Sequence, residues 1–387
     1  MLRVATIAAI VDQHAEDAAF LWLRRRREID GPFLDEADIG RLDQRLEANL
    51  EGLMAAGKVG WEAANARFAD YAEPGELFVL GALALRWSEA ALIASAIDTG
   101  IGLGTAGISC LSAAIARAPR DNLRPLVAKW LDAPDAWLRA LGLSALWHHR
   151  VDPGQRLRDL AEHSDAIVRR RAVKLAGALK RRDLLPAALA GLDGKAPGER
   201  LTAALAACML GEARSAHPVI DQIVATEPGL AEAAIEIRLL TTPMEAGKLW
   251  LQKHLEQPAL RSVATASVGL FGDYAVLPWL IEKMREPDLA GAAGASLRDL
   301  FEVDFGDTDL FVVDPALLGK DFAHLDDGPL PAADRVEAWW DEGRGGRNHR
   351  PFRSMRRLRL GALRAAFAAP ETPLANWRAT RCFPAWM

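Results

Sequence analysis

Apolar residues recur along this chain at helical spacing, and the helices they predict recur with a longer period of about thirty residues. Signals that open a helix stand at Pro74, Gly104, Pro134, Ser164, Pro197, Pro228, Pro258 and Pro287. Proline suits a first helical turn because the N–H it lacks has no partner there, and serine can cap the exposed amides. An Ala/Leu-rich amphipathic stretch follows each signal. In the stretch that opens at Asp165, Ile167, Val168, Val173 and Leu175 join Ala172 and Ala176 in one broad apolar face. Shorter helical patterns lie between these stretches, at 123–131, 157–161 and 276–283.

A helix pair of this length cannot bury its own apolar face, and stacking on neighbouring pairs solves the problem. The pattern therefore predicts an all-α fold, a right-handed α-α superhelix of about seven or eight helix pairs. The run 310–313 is the one β-like stretch. Two of the repeats open their second helix with an acidic residue and carry a basic one four positions later, Asp135/Arg139 and Asp165/Arg169. That arrangement resembles the HEAT repeat and implies a HEAT-like solenoid. Glu199, Leu230, Leu260 and Leu289 stand where later units lose the pair, so degenerate repeats are expected there.

Both ends depart from the period. Residues 1–70 predict an N-terminal helical cap, with one helix over 7–24 and another over 38–57 that opens at Glu36/Asp38 and stops at Gly57. Residues 71–301 hold the repeats, and 302–387 form an appended C-terminal segment. That segment begins with Glu302, Asp304, Asp307, Asp309, Asp314, Asp321, Asp326 and Asp327, broken by Gly and Pro in the manner of a loop. A short helix over 332–341 carries Trp339 and Trp340. Then come Arg344, Arg347, Arg350, Arg353, Arg356, Arg357, Arg359 and Arg364 with no acid between them, and an aromatic, cationic close over 376–387. Two readings of the basic run stand. It grips an acidic partner surface or nucleic acid, or it folds back on the acidic stretch before it.

Composition narrows the class without naming an activity. Of 387 residues, 50% are hydrophobic and 26% charged, so the chain has ample core and no need of disorder. A net charge of −5 sets up no global field toward nucleic acid or an anionic membrane. The 12 Trp against 2 Tyr are read as bulky filler between helices. Cys110, Cys208 and Cys382 lie far apart without a C-x-x-C pair, and they predict buried free thiols in a reducing compartment. The apolar 2–11 stretch runs at once into Asp12, His14, Glu16 and Asp17, and the uncharged 99–116 run is diluted by Gly100, Gly102, Gly104 and Gly107, which suit a turn. Neither reads as a signal peptide or a membrane span, and a cytoplasmic location is expected.

A search for chemistry returns little. The chain lacks the His-Glu dipeptides of HEAT-like di-iron hydroxylases, and H-E-x-x-H, Walker A and G-x-S-x-G are absent. His254-Leu-Glu256 lacks the cysteines that would complete a deaminase zinc site. Gly100, Gly102 and Gly104 follow no strand and are not read as a phosphate loop. His148-His149 at a helix end is read as bonding terminal carbonyls, and His14 as a structural hydrogen-bonder. No catalytic, cofactor-binding or metal-ligating residue is therefore assigned. A HEAT-like DNA glycosylase is the enzymatic alternative, with Arg169, Arg170, Arg171, Lys174, Lys180, Arg181 and Arg182 as a basic ridge beside Trp137 and Trp147. Adjacent residues on a helix diverge, however, so a solvated face with an inter-repeat Asp–Arg ladder is the plainer reading. A phycobilin-lyase-like role rests on repeat type alone.

The opening DQHAEDAAFLWLR (12–24) and the following LDQRLEANLEGL (42–53) resemble a family of proteobacterial HEAT-repeat proteins, as do the 338–340 Ala-Trp-Trp element and the Trp-containing C-terminus. Genes of that family sit near type VI secretion genes. The resemblance covers nearly the whole chain and implies a cytoplasmic adaptor or chaperone-like scaffold for a secretion spike or effector. An immunity protein against a neighbouring toxin is the alternative. Asn49 and Glu51 stand where the family has His and Asp, which counts against a metal or catalytic role there. The family supplies a setting and no reaction. Partner binding is assigned to Arg353, Arg356, Arg357, Trp339 and Trp340.

Overall fold

The computed structural model describes residues 7–29, 34–301, 309–326, 328–342 and 355–369, without the side chains of 355–359. Among these residues the chain is all-α, with twenty α-helices and one two-residue β ladder. The helices stack as pairs, as an α-α superhelix requires. None is long and apolar enough to cross a membrane. Two compact units meet at Ala187/Ala188, inside the repeats rather than at the compositional boundaries near 70 and 301. The join falls where a six-residue helix lies between two 3-10 turns, the turns spanning Arg182–Leu184 and Gly191–Asp193.

Unit 1 holds α1 (Ala8–Glu28), α2 (Glu36–Ala56), α3 (Lys58–Tyr71), α4 (Pro74–Trp87), α5 (Ala90–Gly102), α6 (Gly104–Arg117), α7 (Arg120–Asp132), α8 (Ala136–His149), α9 (Arg156–Ala161) and α10 (Ala166–Leu179). The second helices of the pairs, α4, α6, α8 and α10, pack on one another in succession. All four begin at or two residues after a signal read from the sequence. In α8 and α10 the true caps are Asp135 and Asp165. Asp135 accepts from Trp137 N–H (2.7 Å) and Leu138 N–H (3.1 Å), and Asp165 from Ile167 N–H (2.9 Å) and Val168 N–H (3.2 Å). The basic partners turn back on their own connections. Arg139 Nε donates to Ala133 O (2.6 Å), and Arg169 Nη1 to His163 O (2.7 Å). Among the described residues these pairs do not make the expected Asp–Arg ladder between repeats. Other residues make it: Arg181 with Asp152 (2.8 Å), Arg158 with Asp183 (3.0 Å) and Arg156 with Asp132 (3.0 Å).

The N-terminal cap has three helices, not the two expected. Gly57 does end α2, but its φ of +59° turns the chain straight into α3. α2 begins at Glu36, as read, and is capped by Asp35 in a reciprocal box in which Asp35 and Asp38 accept each other's N–H. Similarly, Gly104 alone makes the turn expected of the glycine cluster. Gly100 and Gly107 serve a close approach of α5 and α6, since a Cβ on Gly107 would lie 1.9 Å from Gly100 O. α1 packs on α2, α3 and α4, burying Ala15, Ala18, Ala19 and Leu21, and stacks Trp22 on Phe78 of α4 at 4.9 Å. Charges fasten this cap: Asp43 pairs with Arg25 (2.6 Å) and Arg117, and Glu47 takes both Arg86 nitrogens (2.6 and 2.8 Å). The Arg86 hydrogen bonds hold the Glu47 carboxyl below its usual range.

After the joining helix α11 (Leu185–Ala190), unit 2 runs through α12 (Pro197–Met209), α13 (Ala213–Thr226), α14 (Pro228–Leu240), α15 (Met244–Leu255), α16 (Arg261–Ser267), α17 (Leu277–Met284) and α18 (Pro287–Leu300). Here α12, α14 and α18 open on a proline in the first turn and make no side-chain cap hydrogen bond. The appended segment then forms β1 (Phe311–Val312), β2 (Leu330–Pro331), α19 (Ala333–Asp341) and α20 (Met355–Ala368). The two strands pair antiparallel, and β2 lies on α18. α19 packs on α17, and α20 on α12 and α14.

Candidate functional site

The residues assigned to partner binding fall into two places. Trp339 and Trp340 belong to the packing of unit 2, where Phe301 meets their rings edge-on at 5.2 and 5.7 Å. Trp339 is 8% exposed, so it is core rather than an open anchor. Arg353 lies outside the described residues, as do Arg344, Arg347 and Arg350. Arg356 and Arg357 lie in the first turn of α20. Leu360, Leu363 and Ala366 recur every three residues along α20 and are buried, the apolar stripe of a helix laid on α12 and α14. Arg364 Nη2 donates to Leu270 O. For Arg364, the expected return of the basic run onto the acidic stretch gives way to this contact.

The surface beneath α20 belongs to the second-helix layer. Residues 201–210 of α12 and its end are buried without interruption, as are 233–237 of α14. A helix buried on every side needs cover on every side. First helices such as α13 supply it on one flank, and α20 lies on the same two helices.

In unit 1 the basic ridge comes apart. Arg169 holds the carbonyls of His163 and Ser164, and Arg181 is gripped by Asp152 and Asp183. What remains together is a smaller group on α10 facing α8. Arg171 Nη1 donates to Ser144 Oγ at 2.7 Å, and Lys174 Nζ lies 4.3 Å from the centroid of the Trp147 ring. Both links span twenty-seven residues, one repeat less about a helical turn. That constant offset was the available signal, and sequence reading missed Ser144 because it treated the cations as a run rather than as rungs. Burial, with Arg170 alongside, holds Arg171 down to about 10 and pushes Lys174 well below the ordinary lysine range.

His14, His148, His149 and His254 and two of the cysteines make their contacts within the fold. His14 shares a 2.8 Å hydrogen bond with Asn49 Oδ1, joining α1 to α2. His148 meets Ser112 Oγ and His149 meets Ile115 O, each at 3.0 Å, so the pair ties α8 to α6 rather than to its own last turn. His254 packs edge-on against Trp250 at 4.3 Å. Cys110 and Cys208 are buried free thiols, pushed up to about 11 and about 12 by that burial, and Cys382 lies outside the described residues. Among the described residues no group of three or more His, Cys, Asp or Glu could hold a metal ion. Two open clefts of about 300 and 400 Å³ adjoin α15 and α17 and share Gln252, Leu255 and Trp279. Their walls carry no His, Cys or Ser, and their Lys248 and Asp273 neutralise each other at 2.6 Å. Comparison with protein-family models, curated proteins and solved structures finds no match.

Proposed function

We propose that the chain is a protein-binding scaffold whose second-helix layer receives amphipathic helices. One observation carries this reading: α20, a basic helix with an apolar stripe, lies on α12 and α14 and buries Leu360, Leu363 and Ala366. The layer thus has a shape and an apolar face that accept a helix from outside the repeat, the helix-in-groove mode of recognition. Uncatalysed binding also agrees with the structural use made of the histidines and cysteines above. The likeness of 12–24 and 42–53 to a HEAT-repeat family near type VI secretion genes supplies the setting: a cytoplasmic adaptor or chaperone-like accessory that holds a secretion spike or effector.

The test is affinity capture of the tagged full-length protein from the organism that encodes it, with partners identified by mass spectrometry. Recovery of both a spike component and its cargo supports the adaptor. One tight partner, with protection of intoxicated cells, moves the reading to an immunity protein. Salt-sensitive retention of DNA without protein rejects both. Replacing Arg353, Arg356 and Arg357 with Glu is expected to abolish capture and leave the fold intact; unchanged capture removes the basic run from the interface.

A further inference from the structure

Several arginines of unit 1 that are drawn partly out of water are matched to carboxylates, while Arg139 and Arg169 hold backbone carbonyls. Arg25 and Arg117 share Asp43, Arg86 takes Glu47, and Arg181 takes Asp152 and Asp183. The group on α10 breaks this habit. Arg171 and Lys174, three residues apart on one helical face, are both half-buried, and no acidic side chain pairs with either among the described residues. Arg171 spends one nitrogen on the neutral Ser144 hydroxyl, while its buried Nε has no hydrogen-bond partner among the described residues. Lys174 rests on the ring of Trp147, which is itself only 8% exposed. Arg170 adds a third positive charge next in sequence.

Leaving an N–H donor buried and unmet is costly, and gathering like charges out of water adds to that cost. Such an arrangement is retained where a ligand completes it. We propose that the α8–α10 face binds an oxyanion, a carboxylate or a phosphate, between Arg171 and Lys174. The guanidinium offers a planar fork of donors that suits a ligand with two oxygens on one atom. The ammonium, one turn further along, supplies the second charge. Trp147 fixes the lysine stem and shields the site from water. Ser144, whose hydroxyl donates to Ala140 O at 2.9 Å, holds the guanidinium in place by accepting from it. This site is independent of the α20 surface and stands or falls without it.

The experiment is thermal unfolding of the full-length protein at constant ionic strength, with sodium chloride exchanged for inorganic phosphate or for hexaglutamate. The expected result is a concentration-dependent rise in Tm with at least one probe, shifted at least tenfold to higher concentration in Arg171→Gln and in Lys174→Met. A stronger response to phosphate assigns a free phosphate group; a stronger response to hexaglutamate assigns an acidic peptide. Lys174→Met keeps the apolar stem on Trp147 and removes the buried charge, so without probe its Tm is expected to equal or exceed the parent's. It decides the question if Arg171→Gln does not fold. Equal responses in parent and Lys174→Met, or no response to either probe, would overturn the proposal.

Discussion

Each unit carries a helix from outside the repeats laid on its second-helix layer, and the two are fastened very differently. In unit 1, α1 buries Val11, Ala15, Ala18, Ala19, Leu21 and Trp22, stacks an indole on Phe78, and has its end tied by Arg25 to Asp43. In unit 2, the described side chains of α20 bury Leu360, Leu363 and Ala366, and one arginine reaches a backbone carbonyl. A fully buried Leu or Trp contributes about 1.5–3 kcal/mol, from which the entropy of ordering the helix is subtracted. By that measure α1 is the more firmly held, and the described side chains of α20 make the lighter cover, which the proposed function reads as exchangeable. Among the described side chains, the two helices differ in how many large ones they insert.

The comparison breaks most sharply under a buried charge. Ala18→Asp, at a position 0% exposed in α1, is expected to unfold unit 1. Ala366→Asp, at 3% in α20, is expected to release that helix while the main transition stays within about 1 kcal/mol, as an exposed-surface change does. Circular dichroism melts and hydrogen exchange together read the two outcomes, and loss of unit 2 in Ala366→Asp would make α20 structural. Truncation is gentler. Trp22→Ala is expected to cost about 3–5 kcal/mol in denaturant unfolding through the cavity left against Phe78. Leu363→Ala should instead show as lost exchange protection confined to α20.

The units also differ in how their second helices begin. Asp165→Ala removes two hydrogen bonds from the start of α10 and is expected to cost about 1 kcal/mol. Pro197→Ala at the start of α12 removes no cap bond and should stay within about 0.5 kcal/mol. Equal losses in the two variants would erase the distinction. The smallest effect concerns pH. Lys180 ends α10 with φ of +59°, and burial pushes it down to about 8. Between about pH 8 and the unfolded value near 10.4, the unfolded chain holds a proton at Lys180 that the folded chain has released. This group's contribution to stability therefore rises with pH, while the raised Cys110 and Cys208 thiols work against it. Lys180→Met is expected to flatten the rise in thermal melts. A slope unchanged in Lys180→Met would assign it to other groups, Lys174 first.

Much of this was legible one residue at a time. Pro74, Gly104, Pro197, Pro228 and Pro287 each begin a helix where the sequence places it, because a proline or a φ-positive glycine acts on its own backbone and needs no distant partner. The 157–161 pattern gave α9 almost to the residue. Gly57 misled because a residue that ends one helix can also start the next, and α3 has only Gly60 and Ala64 buried, too few to mark an apolar face. The candidate sites were hidden for a different reason. Pairing of Arg171 with Ser144 and of Lys174 with Trp147 depends on the register of two helices, and nothing local to either residue records it.

The sequence by itself determined that this chain is a stack of helix pairs: a thirty-residue period and apolar stripes too broad for one pair leave no other way to remove that surface from water. It also determined where most helices start, since capping is a local exchange of hydrogen bonds. Only the tertiary structure decided that the arginines of the HEAT pattern clip their own turns, that Trp339 is core, and that α20 lies on α12 and α14. Each of those outcomes turns on which surfaces come within a few ångströms of each other, and short-range forces between residues far apart in the chain take effect only once the fold has brought them together.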